Sequence, residues 1–421
     1  MSKPLLLTPG VGVLDTHVTM EDIEECLRKA LGTTARFGPN VTPTHLGAGK
    51  GFLSRIALLE PQWRGAAPGE DLPQKVAIKL PTCLAAEVFD DADAHPDVTP
   101  EMKAGAWEFF ASFLRQMHNV ECCVYNFFER IEADLPIARA FYNVPFTEEN
   151  IAKGQLALHV IEDSSTFHLH EHLSLQQMRQ AARAIGRIQA AAHRYGFSEV
   201  EGLRKRDPYK AFWNSLPKES YVGLFLATKH AGASEHFTQI IDSFLDLLPE
   251  YHGSNLPMTY CQQTGMTPVI VHGDLWTSNV LISSSTNNVV AIVDWQLAHA
   301  GSGAEDLLRL AFAAMRPNDR REHFDELLEE MHSAMVEGSD GKPPYSLEEL
   351  QTSARVLFTH AAFFLGGVMI PMLLASLKTT CEKISDEERQ RRKNVVLEKV
   401  ESILEDALVH HQKNQGEKLR W

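Results

Sequence analysis

The chain is poor in cysteine and in basic residues. Six cysteines occur in 421 residues, and no two of them are spaced as Cys-x-x-Cys. A disulfide scaffold and a cysteine-rich zinc site are therefore not expected, and we predict reduced thiols in a cytoplasmic protein because the first ten residues also lack a secretory apolar region. Acidic residues outnumber basic ones, with a formal net charge of −15 at pH 7. This charge argues against nucleic acid as a partner.

One segment, residues 356–377, is long and apolar enough to be mistaken for a membrane span. It is interrupted by polar and helix-breaking residues, namely Thr359, His360, Gly366, Gly367 and Pro371. We therefore predict a buried helix of a globular protein, with no membrane span.

The most informative stretch is residues 272–279, His-Gly-Asp-Leu-Trp-Thr-Ser-Asn. An apolar run precedes it and a strand-like run follows it, so the stretch is predicted to be a loop held at both ends. It supplies an acid, Asp274, and five positions later an amide, Asn279. Kinase-fold phosphotransferases use this spacing to place an acid against the acceptor hydroxyl and an amide near the metal. We predict that both residues are catalytic.

A second acid follows after a short hairpin. Residues 283–288 have turn composition and residues 289–293 read as the returning strand, which carries Asp294 back beside Asn279. Mg²⁺ takes only one or two protein oxygens alongside phosphate oxygens and water. We therefore predict a Mg²⁺ site formed by Asn279 and Asp294, and ATP as the second cofactor.

The N-terminal part contains a glycine-rich hairpin. Gly47, Gly49 and Gly51 alternate, and Ser54 follows at the start of an apolar strand. This composition lets backbone N–H groups approach phosphate oxygens, so we predict that these four residues bind ATP, although a flexible turn explains the loop equally well when it is taken alone. Lys79 follows in the sequence Ala-Ile-Lys, which matches the kinase strand that reaches the α- and β-phosphates.

Lys79 needs a carboxylate to hold it in place. The candidates are Glu108, in a predicted helix over residues 101–118, and Glu121, in a predicted helix over residues 120–131. Tyr125 and Phe128 stand at i+4 and i+7 from Glu121 and turn it inward, so we predict Glu121 as the partner.

The adenine end of the nucleotide is expected where a strand leads out of the first lobe. Residues 155–161, followed by Glu162 and Asp163, fit this hinge, and backbone groups usually read adenine there. Beyond Asp294, only residues 297–303 precede the next predicted helix, and no Ala-Pro-Glu follows. There is no room for a protein-kinase activation loop, so we predict a small-molecule acceptor.

Together these motifs resemble the choline-kinase-like (CHK) and ecdysteroid-kinase-like branch of the aminoglycoside-phosphotransferase kinases, in particular its nematode-expanded members. The resemblance spans about residues 12–410. It implies an α+β, two-lobed protein-kinase-like fold. Residues 1–163 would form a small antiparallel β-rich N-lobe that binds ATP, and residues 164–421 a larger, mostly helical C-lobe with the catalytic loop, the metal loop and the acceptor pocket.

The resemblance also implies roles for individual residues. Asp274 would be the catalytic base, Asn279 and Asp294 the Mg²⁺ ligands, and Lys79 with Glu121 the phosphate-anchoring pair. Asp306 would be a structural acid at a helix start.

Two functions stay open at this point. The first is an active kinase that phosphorylates the hydroxyl of a metabolite, a sterol-like compound or a xenobiotic, and the second is a nucleotide-binding pseudokinase that binds small ligands. Trp213, Tyr221 and Phe225 fall where relatives bind the acceptor, and they form either core or a cation-binding box. Oligomeric state is open.

Overall fold

The computed structural model describes residues 3–47, 53–84, 100–131, 133–204, 206–215, 218–232, 234–379 and 384–416. The chain divides into two compact units. The first consists of Met1–Arg130 and Ala138–Glu162, with Thr379, and the second consists of Ile131–Ile137, Asp163–Lys378 and Glu382–Trp421.

The first unit contains a five-stranded antiparallel sheet with the strand order β1-β2-β3-β5-β4. The strands are β1 (Thr44–Leu46), β2 (Ser54–Leu59), β3 (Val76–Pro81), β4 (Ala140–Val144) and β5 (Gln155–His159). β3 is central, and all of its residues except Ala77 are buried. Its apolar sequence suits a strand that is paired on both edges, and it carries Lys79 into the middle of the sheet.

Two long helices complete the first unit, α1 (Met20–Leu31) and α2 (Pro100–Phe128). α1 begins as its sequence predicts, because the side chain of Thr19 accepts the N–H of Asp22 while the Asp22 carboxylate accepts the N–H of Thr19. Ile23 and Leu27, one turn apart, are fully buried in the core of this unit together with the strand residue Ile78.

α2 is one continuous helix, so the predicted division into helices over 101–118 and 120–131 is wrong. Residues 107–128 contain neither glycine nor proline to end a helix. Asn119, at the expected break, uses its side chain in tertiary contacts instead. Its amide nitrogen donates to the carbonyl of Phe146 at 2.9 Å, and its amide oxygen accepts the Phe146 N–H at 2.8 Å. These bonds remove its competition with the helix backbone.

The second unit is mostly helical. Its helices are α3 (Leu175–Arg194), α4 (Glu201–Arg204), α5 (Pro208–Ser215), α6 (Lys218–Ala231), α7 (Glu235–Leu245), α8 (Leu248–Tyr251), α9 (Leu256–Thr264), α10 (Glu305–Ala314), α11 (Pro317–Gly338), α12 (Leu347–Gly366), α13 (Met369–Thr379) and α14 (Asp386–Gly416). α3 is capped at its N-terminus. Its capping box joins Ser174 and Gln177.

Short strands of the second unit lie on both sides of residues 272–279, the predicted catalytic stretch. They are β6 (Ser164–Ser165), β7 (Val269–Val271), β8 (Val280–Ser283), β9 (Val289–Ile292) and β10 (His299–Gly301). β6, β8 and β9 form one sheet and β10 pairs with β7. All these named pairings are antiparallel. An antiparallel sheet in one unit and a mostly helical second unit agree with the predicted α+β class.

The apolar segment at residues 356–377 forms the end of α12 and most of α13. Among the described residues, Leu347–Leu374 passes the length and composition criterion for a membrane span, with a hydropathy of 1.9, and 67% of its apolar window is buried in the protein. One such helix is weak evidence for a span, because core helices pass the same criterion. The helix break at Gly367 was not predicted. A Cβ there would lie 2.6 Å from the ring of Phe225, so only glycine allows this packing.

Candidate active site

Lys79 and Glu121 form a buried ion pair in the first unit. The Lys79 Nζ lies 2.6 Å from Glu121 Oε2, and the two side chains are 6% and 1% exposed. Glu108, the other candidate, is instead 3.1 Å from Arg115 and largely exposed. Tyr125 is buried beside Glu121, as the helical spacing predicts. The pairing with Glu121 is therefore present, and its role toward phosphate stays a prediction.

The glycine-rich hairpin is described only in part. Gly47 follows β1 and has a φ of +64°, in the left-handed region that glycine adopts readily. Gly49 and Gly51 lie outside the described residues. Ser54 begins β2, directly opposite Pro81 of β3. The ATP-binding role of these four residues stays a prediction.

Glu162 and Asp163 stand at the division between the two units, Glu162 in the first and Asp163 in the second. Glu162 forms an exposed ion pair with Lys75, at 2.8 Å. Asp163 has a φ of +53°, and its carboxylate accepts the N–H of Ser285 at 3.0 Å. Both side chains thus have protein partners, which fits the expectation that backbone groups read adenine here. Their contact with a nucleotide stays a prediction.

The predicted catalytic stretch, residues 272–279, follows β7, and hydrogen bonds hold its first backbone N–H groups in place. The buried carboxylate of Asp306, at the start of α10, accepts the N–H of His272 at 2.8 Å and that of Gly273 at 3.0 Å. The Nε2 of His272 bonds to the carbonyl of Val293 at 2.9 Å, while its Nδ1 accepts the N–H of Asp274 at 3.2 Å. One tautomer, protonated at Nε2, satisfies both contacts. Asp274 is therefore positioned by bonds to the residues immediately before it.

Asp306 is the structural acid that the resemblance implies, and it does more than begin a helix. Burial raises the pKa of its carboxyl group, although His272 and the two N–H donors act in the opposite direction. Gly273, which it holds, has a φ of +80°, and a Cβ there would collide with the carbonyl oxygen of Leu297. Only glycine therefore fits at position 273, between Asp306 and the segment that follows the predicted metal loop.

Asn279 joins the catalytic stretch to the hairpin that follows. Its Nδ2 donates to the carbonyl of Asp274 at 2.7 Å, and its own carbonyl accepts the N–H of Val293 at 3.0 Å. β8 and β9 pair with Val280 opposite Ile292, and the register shifts between Leu281 and Ile282. The hairpin predicted from turn composition thus returns Asp294 to the neighbourhood of Asn279.

The donor set fits Mg²⁺. The bond from Nδ2 of Asn279 directs its amide oxygen away from the Asp274 carbonyl. Asp294 adopts a φ of +71°, a conformation that non-glycine residues adopt mainly where the surroundings impose it. No group of three or more His, Cys, Asp or Glu residues that would hold a metal occurs in the described part of the chain. One amide oxygen and one carboxylate are ligands that suit a hydrated, phosphate-bound Mg²⁺.

A second polar network, which the sequence did not reveal, lies behind these loops. The hydroxyl of Tyr209 on α5 donates to the Glu305 carboxylate, which also accepts the N–H of Ser302 at 3.0 Å. The Nε2 of His299 lies 3.4 Å from Glu305, and its ring stands 5.8 Å from that of Tyr209. Glu305 was not singled out because its partner Tyr209 is 96 positions away in the chain.

A buried arginine completes this region. Arg309 is 3% exposed, and its guanidinium carbon lies 4.2 Å from the ring centroid of Phe364 and 5.9 Å from that of Tyr209. Burial lowers the pKa of Arg309, but Tyr209 and the carboxylates of Asp274 and Glu305 outweigh burial and raise it. The positive charge of Arg309 is therefore retained beside Asp274.

The aromatic residues in the expected acceptor region are mostly core. Tyr221 and Phe225 are fully buried and pack against Phe363. The hydroxyl of Tyr221 donates to the carbonyl of Phe363. Of the two readings that the sequence left open, Tyr221 and Phe225 follow the core reading.

Known proteins resemble this chain over most of its length. The family model DUF1679, described as "Uncharacterized oxidoreductase dhs-27", matches residues 6–415. An uncharacterized kinase-like protein of Caenorhabditis elegans is 20% identical over 380 residues, which cover 87% of this chain and 93% of that protein.

Two solved structures are similar to this chain over most of its length. Choline kinase from Cryptosporidium parvum Iowa II is 11% identical, with 94% of this chain and 97% of that chain covered and a TM-score of 0.50. A putative aminoglycoside phosphotransferase from Ralstonia eutropha JMP134 is 14% identical, with coverages of 92% and 98% and a TM-score of 0.45. At such identity the choline kinase comparison concerns the fold alone. The predicted kinase-like fold is confirmed.

Proposed function

Because this chain belongs to the DUF1679 family and has a kinase-like fold, we propose that it is an ATP- and Mg²⁺-dependent small-molecule kinase. It transfers the γ-phosphoryl group of ATP to a hydroxyl group of a small acceptor. Residues 1–163 serve as the ATP-binding lobe, and residues 164–421 carry the catalytic loop, the metal loop and the acceptor pocket.

The observation that carries the proposal is the pair of bonds that centres on Asn279. Asn279 bonds through its side chain to the carbonyl of Asp274 and through its backbone to Val293, the neighbour of Asp294. Hydrogen bonds thus join the loops that carry Asp274, Asn279 and Asp294, which are spread over 20 positions of the chain. Phosphoryl transfer needs little covalent chemistry from a protein and depends chiefly on positioning and charge stabilisation.

Each residue has a defined part in the reaction. Lys79, held by Glu121, binds the α- and β-phosphates of ATP. Asn279 and Asp294 hold Mg²⁺, which when bound neutralises phosphate charge. Asp274 accepts a hydrogen bond from the acceptor hydroxyl and takes its proton as the oxygen attacks phosphorus.

A small acceptor is supported by the segment after the metal loop. Of residues 297–303, His299–Gly301 form β10, which pairs with β7 beside the catalytic stretch. This segment is therefore part of a sheet that holds Asp274, and it leaves no long loop on which a peptide substrate would dock.

The family description mentions an oxidoreductase, so the fold can be compared with that of nicotinamide-dependent oxidoreductases. Their nucleotide-binding fold uses a parallel sheet with a Gly-x-Gly-x-x-Gly turn. The sheet of the first unit here is antiparallel throughout, and its central strand carries the Lys79–Glu121 pair. Phosphoryl transfer gives Lys79 and Glu121 a role, whereas hydride transfer gives them none.

The experiment is a mass-spectrometric screen of the purified protein with Mg-ATP and a metabolite and xenobiotic extract. A species heavier by one phosphoryl group is expected with the wild-type protein. Asp274→Asn should lower its formation by about 10²–10⁴-fold, the range of a general base, while ATP binding is retained. Asp294→Ala should weaken Mg-ATP binding itself.

A matched control is Asp325→Asn, which makes the same chemical change at an exposed position on α11 and should leave turnover unchanged. Phosphotransfer that survives Asp274→Asn would show that the base is assigned wrongly. ATP binding with no product from any extract would instead favour the nucleotide-binding pseudokinase.

A further inference from the structure

Arg206 carries a positive charge that no ion pair within the described residues neutralises. Its Nη1 donates to the carbonyl of Gln296 at 2.7 Å, and no carboxylate in the described part of the chain forms an ion pair with it. Burial lowers the pKa of Arg206 to about 10. By contrast, Arg320 of α11 is buried with Asp406 at 2.8 Å. A shielded guanidinium with one carbonyl acceptor still offers several N–H donors.

Arg206 lies on the scaffold of the proposed active site. Gln296, which holds it, follows Asp294 by two residues, so the guanidinium is attached to the metal loop. Three positions after Arg206, Tyr209 bonds to Glu305 at the start of α10, next to the Asp306 that holds the catalytic stretch. The charge of Arg206 therefore stands beside the loop that carries a proposed Mg²⁺ ligand.

The aromatic faces of this region are already used, which disfavours a cationic acceptor. A quaternary ammonium alcohol needs aromatic faces or carboxylates for its positive charge. The rings of Tyr209 and Phe364 already receive the guanidinium of Arg309, and Tyr221 and Phe225 are buried in the core. A second cation at the rings of Tyr209 and Phe364 would meet the charge of Arg309, and such like-charge contacts reject a ligand.

We infer that Arg206 is an oxyanion-binding residue and that the acceptor carries an anionic group, such as a carboxylate, sulfonate or phosphate, close to the hydroxyl that is phosphorylated. This inference rests on the proposed function. A guanidinium binds such oxyanions through two parallel N–H bonds, which gives both strength and orientation. The acceptor's oxyanion, and not the phosphates of ATP, is the group assigned to Arg206.

The test uses three alcohols that share a two-carbon chain and a tetrahedral head group but differ in charge. They are 2-hydroxyethanesulfonate, 3,3-dimethyl-1-butanol and choline. Binding of each is measured by calorimetry or ligand-observed NMR to the full-length protein with Mg-ADP, so that no turnover is required. We expect the sulfonate to bind best and choline worst.

Variants assign this preference to one side chain. Arg206→Gln should weaken sulfonate binding by about tenfold or more, as expected for loss of a charged hydrogen bond, and should leave 3,3-dimethyl-1-butanol and Mg-ATP binding unchanged. Arg206→Lys, which keeps the charge but not the planar fork, should restore part of the affinity. Arg187→Gln is the control, because Arg187 also donates to a backbone carbonyl, that of Asp134, but is exposed.

The outcomes are separable. No sulfonate binding to the wild type, equal binding to Arg206→Gln, or tighter binding of choline would overturn the inference. Weaker Mg-ATP binding in Arg206→Gln would overturn the assignment to the acceptor, because it would show that the side chain supports the metal loop or the nucleotide phosphates. Sulfonate binding that depends on Arg206, without phosphorylation of any compound in the extract screen, would uphold the oxyanion site and reject the proposed kinase activity.

Discussion

In the first unit, an ion pair joins the side chains of Lys79 and Glu121, which are 42 positions apart, whereas the acids of the second unit are held by a set of backbone bonds. The ion pair depends on two side chains, and either one alone would be a buried charge. The catalytic stretch is supported from Asp306, His272 and Val293 at once. The comparison teaches that the first unit holds its candidate residues by a side-chain ion pair, whereas the second unit holds them by several hydrogen bonds to the backbone.

The ion pair provides the largest expected effect. Lys79→Met or Glu121→Met should each lower the free energy of unfolding by about 3–5 kcal/mol, because the remaining charge stays buried without its partner. The double variant should recover most of this stability and still lack turnover. Denaturant unfolding of the two single variants and the double variant measures the coupling directly.

Glu108→Gln is the control for this cycle, since Glu108 forms an exposed pair with Arg115 and should cost less than about 1 kcal/mol. If the double variant were as unstable as the sum of the two single variants, the ion pair would not be the source of the stabilisation.

Asp306→Asn tests the distributed support of the second unit. The amide keeps the size of the carboxylate but has one acceptor oxygen, so one of the N–H groups of His272 and Gly273 loses its partner. We expect a loss of about 1–3 kcal/mol in unfolding free energy, together with a lower kcat at unchanged Mg-ATP affinity. An unchanged kcat would mean that the remaining bonds position Asp274 without Asp306.

A smaller effect, shared by both units, is acid destabilisation through buried histidines. Burial lowers the pKa of His118 in α2 to about 4 and that of His360 in α12 to about 3. Between pH 7.5 and 5.5 the unfolded chain takes up a proton at each position and the folded chain does not. The unfolding free energy should therefore fall by about 1.4 kcal/mol per histidine over this interval.

Urea unfolding at the two pH values checks this prediction. His118→Gln and His360→Gln should each remove about 1.4 kcal/mol from the pH-dependent difference, whatever they cost at pH 7.5. The Nε2 of His118 bonds to the carbonyl of Val144 and that of His360 lies 3.0 Å from Ser254 Oγ, so each substitution is expected to act within its own unit. An unaltered pH dependence in either variant would show that the histidine is protonated in the folded state.

Local patterns predicted the parts of the candidate site that depend on short separations. The hairpin between Asn279 and Asp294 followed from turn composition, and the choice of Glu121 over Glu108 followed from helical spacing. The predicted break in α2 failed because the polar Asn119, which looks like a helix end, is bonded to Phe146 from a distant loop. The close packing at Gly367 was missed because it involves a ring on another helix, that of Phe225.

The sequence by itself determined which chemical groups are available and in what order they occur: an acid and an amide five positions apart, a second acid after a hairpin, and a strand lysine with an inward-facing glutamate. These features are local, because turn and helix geometry relate nearby positions directly. Only the tertiary structure decided that Arg206 is held by Gln296, 90 positions away, and that Arg309 lies over Phe364. The reason is physical: burial, neutralisation of charge and contact between distant residues depend on how the elements pack, and periodicity along the chain carries no information about that packing.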